Sequence, residues 1–293
     1  MTRTVIIGLI LLVIGNLFSA MYDVSVKWLP ADANAATFLL VRQISSIFML
    51  LPIWLYAKRP LTSVIGFHLW RANIGSVGAL FLIIGLMALP LATVSSLFYT
   101  APLMILFMGY FFLKEAVTPI QWFCAALGFI GVLIILRPSE MSLAGIAVLV
   151  SAVTFAINQL SLRKVPKNEH PVLTLMLYNL LGIPLMLIVA AMQNFAGLSW
   201  PLLGVALLSN VFLLAYHWFC VLAYRHANAG DIAIAEYTGL LFIVFFGWLW
   251  FDEWLDSMSW LGAALIVLPS LVLPFVVARL FKQKRLIPLP EQI

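Results

Sequence analysis

YTAPLMILFMGYFFLKEAVTPIQW, residues 99–122, recurs 138 positions later as YTGLLFIVFFGWLWFDEWLDSMSW, residues 237–260. In this register Tyr99 and Thr100 fall on Tyr237 and Thr238, Gly109 on Gly247, Glu115 on Glu253 and Trp122 on Trp260. Nearer the start of each copy the offset is 136, so Ser25, Lys27 and Pro30 fall on Ser161, Arg163 and Pro166. A change of two residues in one loop produces that drift. The chain is one unit written twice, and the fold follows from what one unit is made of.

Each unit is made for lipid. Of 293 residues 64% are hydrophobic and 9% charged, with a mean hydropathy of +1.11, where a soluble domain carries about 25% charged residues. Apolar runs recur at about 20 residues, the length a helix needs to cross hydrocarbon. Charge clusters and Pro, Gly and Asn turns divide the chain into runs near 5–28, 33–57, 65–88, 91–112 and 118–136, then 142–162, 171–192, 199–224, 228–250 and 257–280. Proline at position 90 makes the turn through residues 88–91 a tight helical hairpin. The first run outlasts a cleaved leader and is read as a helix. Five helices is an odd number, so the second copy enters the membrane from the opposite side. The expected fold is an all-α membrane protein with ten transmembrane helices in two inverted five-helix repeats, residues 1–138 and 139–281, followed by a basic cytoplasmic tail, residues 282–293. Cys124 and Cys220 lie inside apolar runs and read as small fillers, with no disulfide or thiolate metal site suggested.

Positive charge orients the runs, because Lys and Arg collect in cytoplasmic loops. With the N-terminus inside, thirteen basic residues fall in cytoplasmic segments, among them Arg3, Lys58, Arg71, Lys114, Arg163 and Arg225, and only Lys27 and Arg137 fall outside. Arg42 is left within a helix. Both termini are then cytoplasmic, in a bacterial inner-membrane type of protein. The basic tail reads as an anchor on anionic headgroups, and no nucleic-acid partner is expected.

Residues 88–102, ALPLATVSSLFYTAP, followed by Leu113-Lys114-Glu115 and Gln121-Trp122, resemble the signature of the drug/metabolite transporter superfamily, in its EamA-type ten-helix branch. The resemblance spans essentially the whole chain. It implies alternating-access transport of a small metabolite, often export. The second copy departs from the pattern at Tyr237-Thr238-Gly239, where a proline would often follow.

Polar groups inside hydrocarbon are costly and point to a cavity. Arg42 stands nine residues into its run, roughly 14 Å deep at 1.5 Å per residue. It is either a fork of donors for a substrate carboxylate or phosphate, or a structural arginine paired with an acidic side chain or helix carbonyls. The resemblance, in which an arginine near this point is common, favours the second role. Glu236 is eight residues into its run and falls on Phe98 in the first copy. It is expected to grip a substrate amine or to carry a proton, or else to pair with Arg42 or His217. Tyr99 with Pro102, and Tyr237 with Gly239, weaken two helices at matching positions, a pointer to a transporter's site. Asn210 and His217 are seven apart and share a helix face. Asn158 and Tyr178 add polar groups to the sixth and seventh runs, as Asn16 and Asn73 do earlier, where interhelical hydrogen bonding is the simpler account.

The substrate-binding set is thus Arg42, Tyr99, Pro102, Asn158, Tyr178, Asn210, His217, Glu236 and Tyr237, with Glu236 and His217 as proton-coupling candidates. Asp23 is expected to pair with Lys27 at i+4. Glu115 and Glu253 read as interface groups that end helices, and Trp248, Trp250, Trp254 and Trp260 as an aromatic belt. No His-Glu-x-x-His or Gly-x-Ser-x-Gly motif is present, so no enzyme, metal or cofactor is expected. The partners expected are a small, amphipathic or amino-acid-like substrate, membrane lipids and, for a coupled carrier, protons; the oligomeric state stays open. The other reading is a membrane scaffold or accessory subunit that transports nothing.

Overall fold

The computed structural model describes residues 3–58, 60–114, 117–136, 142–227, 232, 235–236, 238–254, 257–258, 260–265 and 268–269. Regular structure among the described residues is entirely helical: α1 (Arg3–Lys27), α2 (Ala35–Tyr56), α3 (Ile65–Ala88), α4 (Leu91–Phe98), α5 (Ala101–Leu113), α6 (Pro119–Leu136), α7 (Leu143–Ser161), α8 (Pro171–Leu180), α9 (Ile183–Met192), α10 (Trp200–His226) and α11 (Thr238–Phe251). A 3-10 turn, Leu162–Lys164, extends α7. Among the described residues seven segments are long and apolar enough to cross a membrane; α4 with α5 makes one of them and α8 with α9 another. Shorter apolar helices lie at Trp122–Gly131, within α6, and at α11. Most of the expected tenth run, 257–280, lies outside the described residues, as do Glu115, Arg137, Tyr237 and the tail.

Helix starts follow the local chemistry. Asn34 Oδ1 accepts from the backbone N–H groups of Ala36 (3.0 Å) and Thr37 (3.2 Å). Ser142 and Ser199 cap α7 and α10 in the same way, each satisfying a donor that the first turn leaves free. Pro171, Pro184 and Pro201 sit in first turns, where a missing N–H costs nothing. The outer faces are apolar, with Phe48 70% and Phe112 76% exposed, as lipid contact requires. The interior carries the polar residues.

The most extensive contacts join one copy to the other. α1 runs along α10, and α7 along α3. The repeat carries α1 onto α7 and α3 onto α10, so these two contacts are equivalent. α2 meets α8 and α9, its own counterpart, and α4 meets α11. Glycine permits the close approach of α3 to α7: a Cβ on Gly78 would stand 1.9 Å from Thr154 Oγ1, and one on Gly85 2.3 Å from Val148 Cγ2. Small residues at such crossings let helices associate by close packing.

Three expectations change. Arg71, counted with the cytoplasmic segments although it falls within the 65–88 run, lies six residues inside α3 and is 6% exposed; a charge near the end of an apolar run cannot be assigned to the interface or to the interior by composition alone. Arg225 likewise belongs to the last turn of α10. Glu236 is not deep within a continuous helix, because residues 235–236 form a 3-10 turn and α11 starts only at Thr238.

Candidate functional site: a polar cavity between the two copies

Two adjoining chambers open where the copies meet. The larger has a volume of about 850 Å³ including its mouth, and α1, α2, α3, α4, α7, α8 and α10 line it. The smaller, about 420 Å³, lies against α4, α5 and α11. Ser19, Asp23, Leu82, Phe98, Phe155 and Tyr216 belong to both walls, so the two form one continuous site.

Arg42, Asn158, Tyr178 and His217 line the larger chamber. Arg42 is 2% exposed; its Nη1 donates to the Tyr22 hydroxyl at 2.6 Å and its guanidinium stands 5.4 Å from the Tyr22 ring centre. Arg71 stands 5.3 Å from the ring of Tyr178, which meets His217 edge-on at 5.6 Å. The Asn158 amide is satisfied in the orientation that donates to the Arg71 carbonyl (3.3 Å) and accepts from the Gly75 N–H (3.2 Å). Tyr178 fits against α3 only because residue 75 is glycine: a Cβ there would lie 2.2 Å from the Tyr178 hydroxyl.

Tyr99, Pro102 and Glu236 line the smaller chamber. The Glu236 carboxylate accepts from the Tyr224 hydroxyl at 3.0 Å and from Gln159 Nε2 at 3.4 Å, and so pairs with neither Arg42 nor His217. Asn16 fixes the irregular segment beside it. Its Nδ2 donates to the carbonyls of Ala235 (2.8 Å) and Glu236 (3.3 Å) and to Thr238 Oγ1 (3.0 Å). Across the chamber the first copy is interrupted at the matching point. Tyr99 and Thr100 form a turn between α4 and α5, and Pro102, having no N–H, deprives the Phe98 carbonyl of its helical donor. The two breaks touch, since a Cβ on Gly239 would fall 2.1 Å from the Tyr99 hydroxyl. Tyr237, expected at the same place, lies outside the described residues.

Asn210 belongs to neither chamber. Its side chain accepts from Ser46 Oγ (2.8 Å) and donates to Ser45 Oγ (3.0 Å), tying α10 to α2, because the face it shares with His217 turns toward α2 at that level. Lys27 pairs with Glu253 rather than with Asp23; the Glu253 carboxylate also accepts from the Leu91 N–H at 2.9 Å and so closes the start of α4. Asp23 is freed for the wall of both chambers. Asn73 bonds the Leu69 carbonyl of its own helix at 2.8 Å rather than a neighbour. Arg71, Tyr22 and Asp23 are cavity residues that the sequence reading missed. Arg71 carried a usable signal, a charge inside the predicted 65–88 run. Tyr22 carried none, because its partner Arg42 is on another helix.

At the ends of α3, α8 and α10 a second polar cluster forms around Glu169, which is 6% exposed. Its carboxylate accepts from Thr62 and Thr174 hydroxyls at 2.7 Å each and meets His68 Nε2 at 3.1 Å. Arg225 donates to its backbone carbonyl and, at 3.1 Å, to Thr174 Oγ1. Burial alone would raise the Glu169 pKa, but the hydrogen bonds from His68, Thr174 and Thr62 outweigh it and hold the carboxyl down at about 2.

Comparison with known proteins agrees with this architecture. A model described as the EamA-like transporter family matches twice, over residues 6–137 and 142–273. A riboflavin transporter of Rhizobium johnstonii is 30% identical over 206 residues, 70% of this chain and 68% of that protein. A pseudopaline exporter of Pseudomonas aeruginosa is 28% identical over 212 residues, 68% and 72% of the two chains. An S-adenosylmethionine uptake transporter of Rickettsia prowazekii is 24% identical over 272 residues, 90% and 91%. A crystal structure of a protein 15% identical in sequence superposes with a TM-score of 0.68 over 94% of this chain and 99% of that one.

Proposed function

This chain belongs to the EamA-like transporter family, and on that premise we propose that it is an alternating-access carrier whose substrate is a small metabolite held in the two-chambered cavity. The observation that carries the reading is the position of that cavity. It is walled by helices of both copies and flanked by two helices that break at corresponding points, the arrangement expected of a carrier that rocks one repeat against the other.

Ten crossings in two inverted halves, residues 1–138 and 139–281, with both termini cytoplasmic, remain our reading of the topology. The equivalence of the α1–α10 and α7–α3 contacts supports it, as does the excess of Lys and Arg on one side. The protein is an integral membrane protein, placed by this reading in a bacterial inner membrane. Net movement is outward, as in the relative named a pseudopaline exporter. Within the cavity Arg42, Tyr178, Asn158 and His217 contact the substrate in the larger chamber. Tyr99, Pro102 and Glu236 contact it in the smaller one, and Tyr237, outside the described residues, is kept as a candidate from its place in the repeat. Glu236 and His217 are the proton-coupling candidates, and transport that ignores an imposed pH gradient would remove that role.

A thermal-shift screen of the detergent-purified protein against a broad metabolite library tests the binding claim, because a ligand that binds the folded state raises its stability by mass action. We expect one compound class to stabilise the wild type and to lose most of that effect in Arg42→Ala and Glu236→Gln. Unchanged affinity in both variants, at normal expression, refutes this assignment of the pocket.

A further inference from the structure

We propose that Arg42 and Arg71 together form an anion-binding subsite, so that the transported metabolite carries a carboxylate or a phosphate group. This rests on the carrier reading and adds the substrate's chemistry to it. The two guanidinium groups come from neighbouring helices, α2 and α3, are 2% and 6% exposed, and line the same chamber. Neither is neutralised: among the described residues no carboxylate lies within 4.0 Å of either. Asp23 shares the wall without reaching them.

Their donors are incompletely used. Among the described residues Arg42 Nε has no hydrogen-bond partner, nor do Arg71 Nε and Nη1. A buried N–H left unpaired is costly, and more so on a charged group. Two such cations lining one chamber of a low-dielectric interior are therefore out of place unless something anionic visits them. Their other faces are already fixed by aromatic rings. Tyr22 holds Arg42 by a 2.6 Å hydrogen bond and a ring contact, and Tyr178 underlies Arg71 at 5.3 Å. Oriented guanidinium forks of this kind match planar carboxylates and tetrahedral phosphates by paired, charge-assisted hydrogen bonds. His217, edge-on to Tyr178 at 5.6 Å, and Phe155 and Tyr216 on the same walls offer ring faces for the rest of the molecule.

Matched aromatic probes test the subsite: phenyl phosphate, phenylacetate and the neutral phenylacetamide, each titrated in thermal shift against the purified full chain. The anions should stabilise the wild type at concentrations at least tenfold below the amide, and the tighter of the two names phosphate or carboxylate as the head group. Arg42→Gln and Arg71→Gln should each erase that preference, whereas Lys164→Gln, on an exposed residue, should keep it. Should the Gln variants fail to fold, Arg42→Lys and Arg71→Lys keep the charge and lose the fork, and a reduced preference is expected. Equal behaviour of all three probes in the wild type overturns the proposal, as does a preference that survives both Gln variants. A neutral metabolite that is exchanged across the bilayer overturns the anion subsite but leaves the carrier standing. The absence of any exchanged metabolite defeats the carrier reading instead.

Discussion

Gly78 and Gly66 sit on the same helix in opposite circumstances. A Cβ on Gly78 collides with Thr154, whereas one on Gly66 meets nothing within 4 Å. Gly78→Ala should lower the melting temperature in detergent, by an overpacking cost of about 1–3 kcal/mol. Gly66→Ala should leave it unchanged or raise it slightly, since alanine is the better helix former by about 1 kcal/mol. Glu169 makes a pH-dependent prediction. Its folded pKa, about 2, lies below the ordinary 4.5, so its contribution to stability is complete above the ordinary value and is lost as pH falls toward 2. Glu169→Gln should destabilise the protein at neutral pH by about 1–3 kcal/mol and flatten the fall in melting temperature between about pH 5 and 2. An unchanged slope would mean that the Thr62, His68 and Thr174 contacts do not hold the charged form. At this scale the sequence was partly legible. Arg42 and His217 stood out as polar groups in apolar runs and do line the cavity. Asn210 stood out equally and instead ties α10 to α2, because a period of seven fixes a shared face and not the neighbour it turns toward. Which pairs form was not legible at all: Lys27 chose Glu253, 226 positions away, over Asp23 in the turn beside it.

Element boundaries were easier to read, since each helix is bounded by prolines, caps and charges that act locally. The run 65–88 coincides with α3, and 118–136 with α6 to within one residue. Interruptions were read less completely. Pro102 and Gly239 marked two weak points. The break between α8 and α9 at residues 181–182 was not foreseen, although Pro184 and Gly182 were in view. A gap of two residues leaves the apolar run intact, so hydropathy alone cannot detect it. The breaks at residues 99–100 and 235–236 are the elements from which alternating access would draw its freedom. Asn16→Leu, which leaves the Ala235 and Glu236 carbonyls without their donor, should lose about 1–3 kcal/mol of stability and depress transport more than expression does. Pro102→Ala should restore a helical donor to Phe98, raising the melting temperature while slowing transport. A variant that is both stabilised and fully active would show that the break has no part in movement.

At the scale of the molecule the duplication explains why the cavity lies where it does. The principal interfaces, α1 with α10, α3 with α7 and α2 with α8 and α9, all join one copy to the other, so neither copy buries its polar face alone. Residues 1–138 expressed alone should therefore not accumulate as a folded monomer, while coexpression with 139–293 should restore a stable complex detectable by co-purification. The repeat offsets made this pairing foreseeable in outline. Two copies that each carry an interrupted helix and polar residues within apolar runs have to cover one another, and the uncovered remainder is the site. The central claim is that the cavity is a carrier's substrate site, and counterflow in proteoliposomes tests it most directly. A metabolite identified by stabilisation is loaded inside, and uptake of its labelled form is followed from outside. A carrier gives uptake markedly faster than into empty vesicles, saturable, and abolished in Arg42→Ala; uptake indifferent to the internal load, or preserved in that variant, would contradict the assignment.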